Sequence, residues 1–332
     1  MRRQLLAMAL ALPIVLGTPR PAQAGGDPGP VDPTAPQVPL NFTAAAFARG
    51  LDHPGPILVL PNGDVLVAVR DGVSLLRDAS ASGTADVELP LVTDLGRPLG
   101  LALRRDKLYV ATADALHSCT YFVGRQRTGG HCRPVATWPE GAGIPVRGGL
   151  AFNRDETALY VALSGGKEPA GVWTMQPDGK GAHLHAALGG TALALEPTKG
   201  TLWVTEGGQS LVAPGDKVLA PVPLAAHGPV TGLAFYGRDR YPKELRGALF
   251  VAEGGDGEAA PPRISYVPFA AARPTAAPVP FVTGFQHGRP DALAASRDGA
   301  LLVADESRGT VWRIAFRCGA CTPDPVPAAR RR

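Results

Sequence analysis

The chain of 332 residues is 45% hydrophobic and 19% charged, with a formal net charge of +4. This balance suits a folded globular protein and excludes a disordered polar chain or a collagen-like one. The positive charge is also a poor sign of nucleic-acid binding, because three of the arginines (Arg2, Arg3 and Arg20) fall in a cleavable leader that carries no acid.

That leader opens with Met1-Arg2-Arg3, continues through an apolar run over 5–17, and reaches Ala22-Gln23-Ala24. Residues 1–24 therefore read as a secretory signal peptide. The run is interrupted by Pro13 and falls short of the ~20 apolar residues of a membrane span, so no transmembrane segment is expected. Export to the periplasm or the medium follows, with a mature net charge of about +1. An oxidising compartment makes the four cysteines candidates for disulfides, Cys119 with Cys132 and Cys318 with Cys321 being the nearest pairs. Residues 25–37, rich in Pro and Gly, read as a flexible lead-in. Residues 38–317 read as one folded body, and 318–332 as a basic, Cys-containing tail that ends in a solvated Arg330-Arg331-Arg332.

Within that body an apolar strand, a polar turn and a second apolar strand recur six times. The copies are ILVLPNGDVLVA from Ile57, GLALRRDKLYVA from Gly100, GLAFNRDETALYVA from Gly149, ALALEPTKGTLWVT from Ala192, GLAFYGRDRYPKELRGALFVA from Gly232 and ALAASRDGALLVA from Ala292. The valines Val67, Val110, Val161, Val204, Val251 and Val303 mark equivalent positions 43 to 52 residues apart. That is the period of a four-stranded propeller blade. Third strands begin at Gly72, Gly171, Arg263 and Thr310, and outer strands at Val87, Arg133 and Pro278. The last unit lacks an outer strand, which NFTAAAFARG from Asn41 can supply. The expected fold is all-β: a six-bladed β-propeller of four-stranded blades, its ring closed by an N-terminal strand.

In such blades the loop before the first strand and the loop after the second meet on one face, around the axis. The leading loops carry His53, Arg97, Arg147, His227, His287 and Arg289. The loops after the second strands carry Arg70, Asp114, Glu206, Glu253, Asp256, Asp305 and Glu306. A ring of mixed charge is expected there. His183 and His185 share one face of an outer strand over 182–188, without a third ligand nearby. Glu206 and Glu253, each followed by Gly-Gly, hold equivalent positions in neighbouring units and with Asp305 could cluster around calcium.

Several of these segments resemble the soluble glucose and sorbosone dehydrogenases that use pyrroloquinoline quinone (PQQ). The resemblance covers roughly 46–316. It rests on FARGLDHPGPILVLPNGDVLVA from Phe47, RPLGLALRRDKLYVATADAL from Arg97, HGPVTGLAFYGRDRYPKELRGALFVAEGG from His227 and GRPDALAASRDGALLVADESRGTVWRI from Gly288. It implies PQQ and calcium over the channel, a sugar substrate and an external electron acceptor. It also implies Arg289, Asp305 and Arg97 at the cofactor, Glu206 and Glu253 at the metal, and His227 and Arg147 in catalysis. An anionic cofactor needs guanidinium donors, and a carbon giving up hydride needs a base near neutral pKa. The chain departs from the pattern where the family's base precedes Arg147, since Ile144-Pro145-Val146 offers no proton acceptor. It departs again where Gly189-Gly190 replaces Arg-Asn. Two alternatives remain: a binding propeller without catalysis, and a calcium-dependent lactonase-type hydrolase.

Overall fold

The computed structural model describes residues 32–168, 170–190, 192–214, 221–224 and 228–317. The expected signal peptide, most of the lead-in, His227, Cys318, Cys321 and the arginine tail lie outside the described residues. From Thr34 onward the described chain forms six four-stranded antiparallel sheets in a ring, a six-bladed β-propeller. Its one helical element is a single 3-10 turn at Lys243–Leu245. No helix among the described residues is long and apolar enough to cross a membrane.

The first strands of the six blades are Ile57–Val59, Gly100–Arg104, Pro145–Phe152, Leu193–Leu195, Val230–Phe235 and Pro290–Ala295. Those of adjacent blades touch one another, so they form the wall around the axis. The second strands are Val65–Val69, Lys107–Ala111, Leu159–Leu163, Leu202–Glu206, Leu249–Glu253 and Leu301–Asp305. The third strands are Gly72–Arg77, Ala115–Thr120, Gly171–Met175, Ser210–Val212, Arg263–Val267 and Thr310–Phe316. Outer strands Val87–Thr93, Arg133–Thr137, His183–Ala186, Val222–Pro223 and Val279–Val282 complete the first five blades. The fourth strand of blade 6 is Phe42–Arg49, which pairs antiparallel with Thr310–Phe316, Phe42 opposite Phe316.

Why the second strands are apolar on both faces follows from the seams. Side chains alternate across a strand. Leu66 and Ala68 pack into the seam between blades 1 and 2, whereas Val65 and Val67 pack into the seam between blades 6 and 1. Leu301 and Val303 likewise face blade 5 while Leu302 faces blade 1. Each buried hydrophobic cluster among the described residues straddles two neighbouring blades. The fold is thus cemented between blades rather than around one centre.

Two local devices stiffen it. In the seam of blades 5 and 6, the Tyr241 hydroxyl donates to the Ile314 carbonyl at 2.6 Å and accepts from the Leu301 N–H at 3.0 Å. Burial pushes its phenol pKa well upward. In blade 2, Cys119 and Cys132 form the expected disulfide, tying the third strand to the segment ahead of the outer strand.

Candidate functional site

Three first strands break register near their starts. In blade 5 the shift falls between Val230 and Gly232, in blade 6 between Pro290 and Ala292, and in blade 3 between Pro145 and Leu150. A bulge leaves its extra residue unpaired and re-aims the side chain. The residues so displaced are Thr231, Asp291 and the stretch that holds Arg147. The Thr231 hydroxyl bonds to the Pro290 carbonyl at 2.7 Å and so ties blade 5 to blade 6. Arg147 reaches from blade 3 to Asp291 in blade 6, Nη1 to Oδ1 at 2.6 Å. The contact is close but off the hydrogen-bond direction, and neither oxygen of Asp291 receives an aligned donor.

Asp291 is 1% exposed. Burial pushes its pKa up to about 6, against the pull of Arg147, and the nearby Glu306 adds to the rise. Blade 1 contributes bare backbone. A Cβ on Gly55 would stand 3.5 Å from Asp291 Oδ2 and 3.9 Å from the Arg147 guanidinium carbon. The two charges are thus closed in by glycine on that side.

Above this pair, Glu306 gathers arginines from three blades. Arg147 Nη2 donates to Glu306 Oε1 at 2.9 Å, Arg97 of blade 2 donates to the same oxygen, and Arg289 Nη1 lies 3.6 Å from Oε2. The Glu306 N–H bonds to the Arg289 carbonyl at 3.0 Å, so the two loops of blade 6 hold each other. Side-chain exposures of 43% for Arg97 and 49% for Arg289 leave both guanidinium groups open to solvent. Three cations face two carboxylates, a net charge of +1 with Asp291 ionised.

Arg97, Arg147 and Arg289 are therefore brought together at one mouth of the axis. The other expected site residues are placed differently. Asp305 is fully buried and accepts from the Arg289 backbone N–H at 2.9 Å and from the Trp312 indole N–H at 3.1 Å, so it braces the loop and not the Arg289 guanidinium. Glu253 is buried against Arg263 and accepts from the Ser265 hydroxyl at 2.9 Å. Glu206 is exposed. The described residues include no group of three or more His, Cys, Asp or Glu able to hold a metal ion, so Glu206, Glu253 and Asp305 do not form the expected cluster. His53 lies beside Asp52, Nδ1 to Oδ1 at 2.7 Å, with Arg70 on the same pair. His185 packs its ring on Tyr160.

Asp291 and the role of Glu306 as the gathering point were not singled out by the sequence reading. An aspartate inside an otherwise apolar strand, Pro290-Asp291-Ala292-Leu293, is the signal that could have found the first.

No family model matches this chain, and no curated protein matches it in sequence. Its fold is similar to those of several solved propellers. A Trichoderma reesei carbohydrate-active enzyme of family AA12 is 14% identical, with a TM-score of 0.67 over 85% of this chain and 98% of that one. The PQQ domain of a pyranose dehydrogenase from Coprinopsis cinerea is 15% identical, with a TM-score of 0.64 over 87% and 99%. The soluble aldose sugar dehydrogenase of Escherichia coli is 17% identical, with a TM-score of 0.62 over 83% and 100%. The chain shares its fold with these three proteins.

Proposed function

We propose that this chain is a dehydrogenase-like propeller that binds an anionic quinone cofactor at the arginine mouth and oxidises an aldose or related sugar. The carrying observation is the convergence of Arg97, Arg147 and Arg289, from three blades, on the single carboxylate of Glu306. Guanidinium groups that converge on a protein carboxylate suit a ligand bearing several carboxylates, because charge-assisted bonds to such groups are strong and directional. The choice of ligand is supported by the pyranose dehydrogenase PQQ domain and a PQQ-bound aldose sugar dehydrogenase from Streptomyces coelicolor, and the substrate class by these and the Escherichia coli aldose sugar dehydrogenase.

When bound, the quinone would supply the two-electron acceptor for a hydroxylated carbon. The chain's own part is to hold it. Arg97 and Arg289, the exposed pair, would take its carboxylates, while Arg147, committed to Asp291, fixes the floor of the mouth. Within the arginine cluster the groups able to accept a proton are Glu306 and Asp291; His227, from the leading loop of blade 5, is the acceptor proposed from sequence. The side chains proposed for calcium do not fit one ion, since Glu253 and Asp305 spend their oxygens inside their own blades. No step is therefore assigned to a metal.

A second reading, a propeller that binds without catalysis, is favoured by Ile144-Pro145-Val146 standing where a base is expected beside Arg147. Titration calorimetry with PQQ, with and without calcium, followed by dye reduction with a panel of aldoses, separates the two. Binding that weakens at least tenfold in Arg289→Ala, together with sugar-dependent dye reduction, is the expected result. Binding without turnover selects the second reading, and no binding by the folded protein refutes both uses of the mouth for this cofactor.

A further inference from the structure

The face opposite the mouth carries the turns between first and second strands and the loops between third and outer strands, because successive antiparallel strands reverse direction. On that face, blade 2 presents the loop closed by the Cys119–Cys132 disulfide. Tyr121 is fully buried beneath it, its backbone N–H bonded to the Asp106 carbonyl at 2.8 Å and its hydroxyl to the Arg125 carbonyl at 3.1 Å. The Arg125 N–H closes a turn onto the Phe122 carbonyl at 3.0 Å, and Arg77 of blade 1 donates to the Gly124 carbonyl at 3.0 Å.

This turn is tied down by the disulfide, by the Asp106 carbonyl and by Arg77, yet its tip faces water. Residues 122–127 form an unbroken exposed run, with Phe122 56% and Val123 36% exposed. The loop sequence from Tyr121 to Arg133 contains Arg125, Arg127, His131 and Arg133 and no acid. Arg125, Arg127 and Arg133 are exposed, and no described carboxylate forms a salt bridge with any of them. Ordering an exposed Phe-Val pair amid unpaired guanidinium groups gains the isolated protein nothing.

We infer that this loop binds anionic phospholipid surfaces, with Phe122 and Val123 entering the boundary between headgroups and acyl chains and the three arginines pairing with lipid phosphates. An aromatic-aliphatic tip ringed by long basic side chains has the chemistry of that boundary, where arginine stems lie along apolar surface and their heads stay at phosphate level. A tip of six residues is too small to supply the area of a stable protein interface, roughly 800 Å² per partner, whereas a bilayer requires no matching shape. Such docking leaves the arginine mouth, on the far face, open to solvent. The inference is independent of the reading proposed for that mouth.

The test is co-sedimentation of the full chain with vesicles of phosphatidylcholine alone and of phosphatidylcholine mixed with phosphatidylglycerol. Binding is expected only to the mixed vesicles, falling about fivefold for each of Arg125→Gln and Arg127→Gln and again with added salt. Phe122→Ser should weaken it, and Phe122→Trp should show a blue shift of the added fluorescence on the mixed vesicles. These positions are exposed, so thermal unfolding of each variant should match that of the parent. No binding to mixed vesicles, equal binding to both vesicle types, or binding unaffected by these substitutions would overturn the inference. So would capture by polyglutamate without capture by vesicles, which would point to an acidic polypeptide instead.

Discussion

Replacing Asp291 with asparagine keeps the shape of the group and removes its titration. In the folded protein its pKa stands at about 6, raised from the ordinary 3.8 chiefly by burial. A folded-state pKa above the unfolded value means that the native protein holds a proton the unfolded chain has released. The resulting stability is fully present below the unfolded pKa and is lost as pH rises through the folded one. Between these limits the shift is worth about 3 kcal/mol, of which about 2 kcal/mol lies between about pH 4.5 and about pH 7.5. Urea unfolding of parent and variant at both pH values isolates this contribution, since carboxylates not coupled to Asp291 contribute equally to both and cancel in the difference. The parent should gain about 2 kcal/mol relative to Asp291→Asn on acidification. Equal pH dependence in the two proteins would show that Asp291 does not titrate there and would remove the argument that its burial outweighs Arg147.

Tyr241→Phe deletes one buried hydroxyl that donates to the Ile314 carbonyl and accepts from the Leu301 N–H; with two buried hydrogen bonds removed, a loss of about 2 kcal/mol is expected, read as a lower urea midpoint at unchanged slope. Arg263→Met leaves the Glu253 carboxylate buried with only Ser265 as a polar partner. It should cost about 4 kcal/mol by the same assay, and a second substitution, Glu253→Gln, should recover most of that, because the cost is an unpaired buried charge and not lost packing.

Much of the fold could be read directly because the seams impose it. Strands gripped on both faces must be apolar throughout, which made Val65–Val69 or Leu301–Asp305 visible as repeated runs. Blade 4 was fainter: its outer strand is only Val222–Pro223, too short to carry a pattern. The arginines of the mouth were legible through loop position alone. Their arrangement was not, because it depends on register. Asp291 reaches the axis only through a bulge set by how Pro290–Ala295 pairs with its neighbour, and Glu306 becomes central only once blades 2, 3 and 6 are brought together. Glu253 is instructive in the opposite sense. It stands directly across from Arg263 in the sheet, so counting cross-strand partners would have shown it paired inside its blade.

The composition of blade 6 also governs the order in which the protein can be built. Blades 1 to 5 each draw their four strands from one continuous stretch and can form as that stretch emerges. Blade 6 instead joins Phe42–Arg49 to Thr310–Phe316, and its bond from Thr43 to Ala315 spans 272 residues. Such a contact closes a loop nearly as long as the whole described fold, the most non-local pairing the fold requires. The N-terminal strand is therefore the first to be synthesised and among the last to find its place. Until then Phe42, destined to meet Tyr241, Phe281 and Phe316 edge-on or tilted, has no aromatic neighbours to shield it, which makes the interval before the final strand arrives the period of greatest exposure to mispairing.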